Sequence, residues 1–186
     1  MRMLYSAALL AVAFAAPAFA QNDIRVLATS RSTTMEKEMN EAADAGFRFA
    51  AVIGGETATG SELVVIMTRA ASATPAYRYR VLATNKTTTM QRELEMAGDE
   101  GYEYKGQTAF KGAFAGNEAV TLLERERSLE HPVRYEYLLL ATSKTSTMQK
   151  ELADAAARGY EFVGVSVTDT FIAGSEVVTI LRRRKG

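Results

Sequence analysis

The chain has no cysteine, no tryptophan and a single histidine, His131. The missing cysteine excludes disulfides, thiolate nucleophiles and Cys-ligated metals. One histidine, set before Pro132 in a polar stretch, builds neither a typical zinc site nor a catalytic triad. Charge of one sign is missing too, since 22 Lys and Arg face 22 Asp and Glu. Attraction to nucleic acid is therefore not a property of the whole chain. Past the first twenty residues no apolar run is long enough to cross a bilayer as a helix. With 186 residues and no disulfide, stability must come from a core, and the length suffices to bury one.

What is there begins with a leader pattern. Arg2 gives a short positive start, residues 4–16 are apolar, Pro17 breaks the run, and Ala18-Phe19-Ala20 offers a small-x-small cleavage site. We read residues 1–20 as a secretory signal peptide cut before Gln21, which places the remainder in the periplasm or outside the cell. Gln21 is not Cys, so no lipid anchor is expected.

The rest is organised by a repeat. Residues 142–160 match residues 84–102 at 11 of 19 positions and residues 29–47 at 9 of 19, without gaps. Successive copies are 55 and 58 residues apart, which divides the chain into 21–70, 71–126 and 127–186. A period of this size marks structural units that complete one another's cores. Short polar linkers around Pro75 and Pro132 imply that the units pack together.

Each copy reads as strand, helix, strand, strand. Tyr77, Tyr79, Val81 and Ala83 alternate with Arg78, Arg80, Leu82 and Thr84, as Val133, Tyr135, Tyr137, Leu139 and Ala141 do with Arg134, Glu136, Leu138, Leu140 and Thr142. Ile24, Val26 and Ala28 form a shorter version. The polar face gives way to Leu toward the strand end, which predicts burial on both sides there. Thr33, Thr88 and Ser146, each followed three residues later by Glu36, Gln91 or Gln149, predict a capping box. Apolar residues then recur on one helical stripe. They are Met35, Met39, Ala42 and Ala43; Met90, Leu94, Ala97 and Gly98; and Met148, Leu152, Ala155 and Ala156. Gly46, Gly101 and Gly159 predict the helix ends, with Phe47, Tyr102 or Tyr160 folding back. The last strands, 63–69, 119–125 and 177–183, are apolar on both faces, so each needs its own helix on one side and another unit on the other.

Candidate site residues are few. Arg31, Lys86 and Lys144 precede the helices among hydroxyls that include Thr34, Thr89 and Thr147. A base beside a helix N-terminus is a ready anion site, whereas the plainer reading is capping by the hydroxyls and a solvated base. Glu38, Glu93 and Glu151 recur at the stripe edge and Arg69, Arg125 and Arg183 at the last strand's end. We expect an ion pair in each unit, against the alternative of three carboxylates gathered at one site. The tyrosines read as cross-strand packing and the 182–185 basic tail as a solvated strand end.

The pattern from Glu151-Leu152 to Gly159-Tyr160-Glu161-Phe162, and from Glu93-Leu94 to Gly101-Tyr102-Glu103-Tyr104, resembles a family of small uncharacterised bacterial β-α-β-β domains. Copy one departs at Arg48. The resemblance implies a fold and no activity, cofactor or site residue. We therefore expect an α+β protein of three β-α-β-β units, mainly antiparallel, one external helix each, with closure about a pseudo-threefold axis around a cavity as one outcome. Its expected role is a non-enzymatic module binding a small ligand or an envelope protein, with no cofactor, metal or nucleic acid. The alternatives are an enzyme using the repeated anion or carboxylate positions, and an assembly protein pairing through sheet edges.

Overall fold

A computed structural model describes residues 23–69, 77–112, 116–170 and 174–186. The leader and the 70–76 linker lie outside the described residues. The first unit holds β1 (Ile24–Thr29), α1 (Ser32–Asp44), β2 (Phe47–Thr57) and β3 (Gly60–Arg69). The second holds β4 (Tyr77–Thr84), α2 (Thr87–Asp99), β5 (Glu103–Gly112) and β6 (Gly116–Glu126). The third holds β7 (Tyr135–Thr142), α3 (Thr145–Ala157), β8 (Glu161–Thr170) and β9 (Gly174–Arg184). Each unit is a three-stranded antiparallel sheet with its third strand in the middle, in the orders β1-β3-β2, β4-β6-β5 and β7-β9-β8. The fold is α+β, built from three β-α-β-β units.

Helix ends follow from glycine. Gly46, Gly101 and Gly159 adopt φ of 84°, 82° and 81°, a left-handed turn that side chains with a Cβ resist. The following aromatic folds back, its N–H reaching the last turn in Tyr102→Ala97 (2.9 Å) and Tyr160→Ala155 (3.2 Å). The ring is then flanked by arginines. Arg25 and Arg69 lie over Phe47, Arg80 and Arg125 over Tyr102, and Arg158 and Arg183 over Tyr160.

Helix starts differ from expectation. No capping box forms at Thr33, Thr88 or Ser146: the helices begin earlier, at Ser32, Thr87 and Thr145. The N-cap residues Arg31, Lys86 and Lys144 are extended and make no side-chain cap hydrogen bond. The hydroxyl that shapes the turn belongs instead to the strand-end threonine. Thr29, Thr84 and Thr142 accept through Oγ1 from the N–H of Arg31 (3.2 Å), Lys86 (3.1 Å) and Lys144 (3.3 Å). Such local side-chain bonds set turns as readily as caps.

The units stack in a row. α1 packs on its own sheet and on β4 of the second unit, and α2 likewise carries β7 of the third. The edge strands also touch in series, β2 on β5 and β5 on β8. No comparable packing joins the first unit to the third among the described residues, so the pseudo-threefold closure and its central cavity are not formed. Two of the three cores are consequently shared, and the third, around Ala155, Tyr160 and Leu181, lies within the third unit. Met35, Met39, Leu63 and Val65 of the first unit bury Tyr79, Val120 and Leu122 of the second. Met90, Leu94 and Leu123 of the second bury Tyr135, Tyr137 and Ile180 of the third. Residues 119–124 of β6 are buried on both faces, as a middle layer requires.

The last helix breaks the pattern. Of the expected stripe Met148, Leu152, Ala155 and Ala156, only Ala155 is buried, whereas all four equivalents in α1 and in α2 are. The residue types are those of a packed stripe, but among the described residues no strand of a following unit lies on them.

Candidate functional site

The joints between units hold the buried carboxylate Glu124 and the two buried tyrosine hydroxyls of Tyr79 and Tyr137, and both are built to one plan. The first part of the plan caps a free strand edge. β4 lies at the edge of its sheet, so its outward N–H and C=O groups need partners. On α1, Asn40 accepts from the Tyr79 N–H through Oδ1 (3.0 Å) and donates to the Tyr79 carbonyl through Nδ2 (3.0 Å). Glu36 Oε2 accepts from the Val81 N–H at 2.9 Å. At the second joint one residue does this work. Gln91 on α2 donates to the Tyr137 carbonyl (2.9 Å) and accepts from the Leu139 N–H (2.7 Å). Glu36 and Gln91, expected to cap their own helices, thus hold the next unit.

The second part uses a bulge. Each second strand slips register once, between Phe49 and Ala51, Tyr104 and Gly106, and Phe162 and Gly164. The slip frees an N–H from the sheet ladder. A tyrosine hydroxyl from the next unit satisfies it. Tyr79 Oη accepts from Phe49 N–H (2.8 Å) and donates to Glu124 (2.7 Å). Tyr137 Oη accepts from Tyr104 N–H (2.7 Å) and donates to the Tyr102 carbonyl (2.9 Å). Burial pushes both phenols well above their ordinary range, so both are neutral donors at every physiological pH.

The third part is a charge pair whose sign reverses between the joints. At the first joint Arg48 of the first unit meets Glu124 of the second at 2.8 Å, and Glu124 is buried. At the second, Glu103 of the second unit meets Arg182 of the third, also at 2.8 Å. Position 48 corresponds to 103, and 124 to 182, in the repeat alignment. Both guanidiniums stack on the equivalent tyrosine: Arg48 lies 4.1 Å from the Tyr77 ring centre and Arg182 4.9 Å from that of Tyr135. Lys105 links the two pairs, 3.2 Å from both Glu103 and Glu124. The result is one line of alternating charge, Arg48, Glu124, Lys105, Glu103, Arg182, running through all three units. Burial alone would raise the Glu103 carboxyl, but the Arg182 hydrogen bond and the Lys105 charge outweigh it and hold it below its ordinary range. A cleft of about 120 Å³ opens beside this line, with Arg48, Glu103, Glu124 and the rings of Tyr77 and Tyr135 among its walls.

This arrangement can fix geometry, and it offers little for chemistry. Both carboxylates are held by cations, and no nucleophile stands beside a base. Its physical effect is to label the joints. The first unit stacked directly on the third would set Arg48 against Arg182, so the charges disfavour that order. Glu103 and Glu124, by contrast, already lie opposite each other across β5 and β6 with Lys105 bridging them.

The residues singled out from the sequence lie elsewhere. Arg31, Lys86 and Lys144 stand at three helix N-termini, with Thr34, Thr89 and Thr147 in the first turns. The helices do not pack on one another, so no single site gathers these residues. The expected ion pairs of Glu38, Glu93 and Glu151 with Arg69, Arg125 and Arg183 do not form. The arginines instead donate to helix-end carbonyls, Ala45 (3.1 Å), Glu100 (3.1 Å) and Arg158 (3.0 Å), where a cation complements the helix dipole. The three glutamates do not converge either, and no cluster of three acidic or histidine side chains suits a metal among the described residues. His131 is exposed in the linker, and no described helix is long and apolar enough to cross a membrane. The charge line was legible only by setting the copies side by side: Arg48, Glu103 and Glu161 at one position, Thr68, Glu124 and Arg182 at the other.

No family model, no curated protein and no solved structure matches this chain. The resemblance to β-α-β-β modules therefore rests on the helix-end and packing residues alone.

Proposed function

We propose that this chain is an exported, non-enzymatic interaction module that works through the two end faces of its stack. The observation that carries this reading is that those faces are apolar and open. In the first unit Ile24, Val26 and Ile53 are 66%, 63% and 65% exposed. In the third unit Phe162 and Val167 are 55% and 61% exposed. Apolar side chains clustered this way on a folded surface mark places where another molecule docks. The leader pattern at residues 1–20 supports export, and the cation-held carboxylates of the joints support a binding role over catalysis.

Two measurements test it. Fractionation with N-terminal sequencing should find the chain in the envelope or medium beginning at Gln21; a cytosolic chain beginning at Met1 contradicts export. A photo-crosslinking residue at position 24 or 165 should give protein adducts in the producing cell. Absence of adducts from both positions contradicts an end-face module.

A further inference from the structure

We propose that the partner of each end face is the opposite end face of a second copy of this chain, so that the protein associates head to tail. This inference rests on the interaction-module reading and names its partner. The argument is continuity. The same joint occurs twice within the chain, helix and second strand of one unit against first strand and sheet face of the next. The first unit presents the receiving half of that joint with no described residue on it, and the third presents the donating half.

The halves correspond position by position. Ile24 and Val26 stand where Tyr79 and Val81 lie on α1, and where Tyr137 and Leu139 lie on α2. Tyr79 and Tyr137 are 2% and 1% exposed, against 66% for Ile24. On the donating side, Gln149 of α3 corresponds to Gln91, which holds both a carbonyl and an N–H of β7. Gln149 is exposed and makes no hydrogen bond among the described residues. In the assembly it takes the Ile24 carbonyl and the Val26 N–H of the second copy. Phe162 and Val165 of β8 correspond to Phe49 and Val52, whose side chains press on Gly106 of the next unit. Because the two contacting surfaces are different, addition does not stop at two copies.

Three differences make this joint weaker than the internal ones. Ile24 has no hydroxyl to satisfy the Phe162 N–H freed by the third bulge. Ala51 stands where Gly106 and Gly164 receive the preceding unit; a Cβ at Gly106 would lie 2.9 Å from Val52 Cγ1 and one at Gly164 1.9 Å from the Tyr104 hydroxyl. Glu161 would face Thr68, without the charge pair of either internal joint. Association is therefore concentration-dependent, and three-unit chains remain the separable species.

The test is complementation between two variants, followed by sedimentation across a concentration series on the protein as the cell leaves it. Ile24→Lys with Val26→Lys blocks the receiving end, and Phe162→Lys with Val165→Lys blocks the donating end. All four positions are exposed, so thermal unfolding should match the parent. The parent's average mass should climb past that of a dimer, and each variant alone should associate about tenfold less or worse. The two variants mixed should form a dimer and nothing larger, since each supplies the other's missing face. A monomeric parent, an unchanged variant or a monomeric mixture overturns the inference. Persistent adducts from positions 24 and 165 to another protein, or to the chain's own first 22 residues, overturn the second copy as partner and leave the end-face reading standing. Loss of all adducts removes both.

Discussion

α2 and α3 carry nearly the same instructions and end up in different surroundings. Both begin after a Thr-x-Lys turn, both place Met, Leu, Ala and a small residue on one stripe, and both stop at glycine. Yet Met90, Leu94, Ala97 and Gly98 are buried, while of Met148, Leu152, Ala155 and Ala156 only Ala155 is. The difference is the next strand. β7, from the next unit, lies on α2, and among the described residues only its own sheet lies on α3. An amphipathic stripe in this chain is thus a two-sided device, half for its own sheet and half for a neighbour, as in repeat proteins whose stability is a sum of units and joints.

That comparison can be broken by substitution. The largest effect is expected at the first joint's charge pair, where Glu124 is buried and Arg48 is half-exposed. Arg48→Glu sets two carboxylates together there and should cost about 3 kcal/mol by chemical denaturation, the lower end of the scale for breaking a buried pair because solvent screens the exposed partner. Adding Glu124→Arg should recover part of it, because the reversed pair already exists at the second joint, while Lys105 beside position 124 opposes a full recovery. Failure of the double variant to recover would mean that the sign reversal does not label the joints. Next, Leu94→Ala should cost about 2–5 kcal/mol. Leu152→Ala, at a half-buried site, should cost a fraction of that; equal losses would contradict the two-sided account.

Smaller effects sharpen the same contrast. Gly98→Ala improves helix propensity, yet its Cβ would sit 2.2 Å from the Tyr135 carbonyl oxygen, so it should destabilise. Ala156→Gly, its mirror in α3, should cost only the propensity difference of about 1 kcal/mol. Tyr79→Phe strands the Phe49 N–H at the first bulge and should cost about 1–3 kcal/mol. The pH effect is smallest. Glu103 is held below its ordinary range in the folded chain, so its contribution is complete above the unfolded carboxyl's pKa and is lost as pH falls through the lower folded value. Glu103→Gln should flatten the acid limb of the stability profile; an unchanged limb would show that the Arg182 pair does not stabilise the second joint.

The sequence made the local structure legible and left the joints obscure, for a physical reason. Gly159 followed by Tyr160 announces a helix end because few residues adopt that turn, and period-two tyrosines announce β4 and β7. The spacing of Glu36 and Gln91 predicts caps because a capping box is a local pattern. Their actual partners, Val81 and Leu139, are over forty residues away, and nothing nearby in the chain records them. Arg48 looked like a lapse in the repeat. It is one half of a pair whose other half, Glu124, replaces a threonine of the first copy, and only the folded joint shows that the two departures compensate. The anion reading of Arg31, Lys86 and Lys144 and the cluster reading of Glu38, Glu93 and Glu151 assumed that repeated residues meet. In a linear stack equivalent residues are held apart by one unit.

Amide hydrogen exchange at low protein concentration tests the central claim most directly. If each helix carries the next unit's first strand, the outward amides of Tyr79, Val81 and Leu139, bonded to Asn40, Glu36 and Gln91, exchange only with unfolding of a joint. The equivalent Val26 amide, at the unoccupied end, exchanges orders of magnitude faster. Equal rates at Val26 and Val81 would contradict the stacked-joint account.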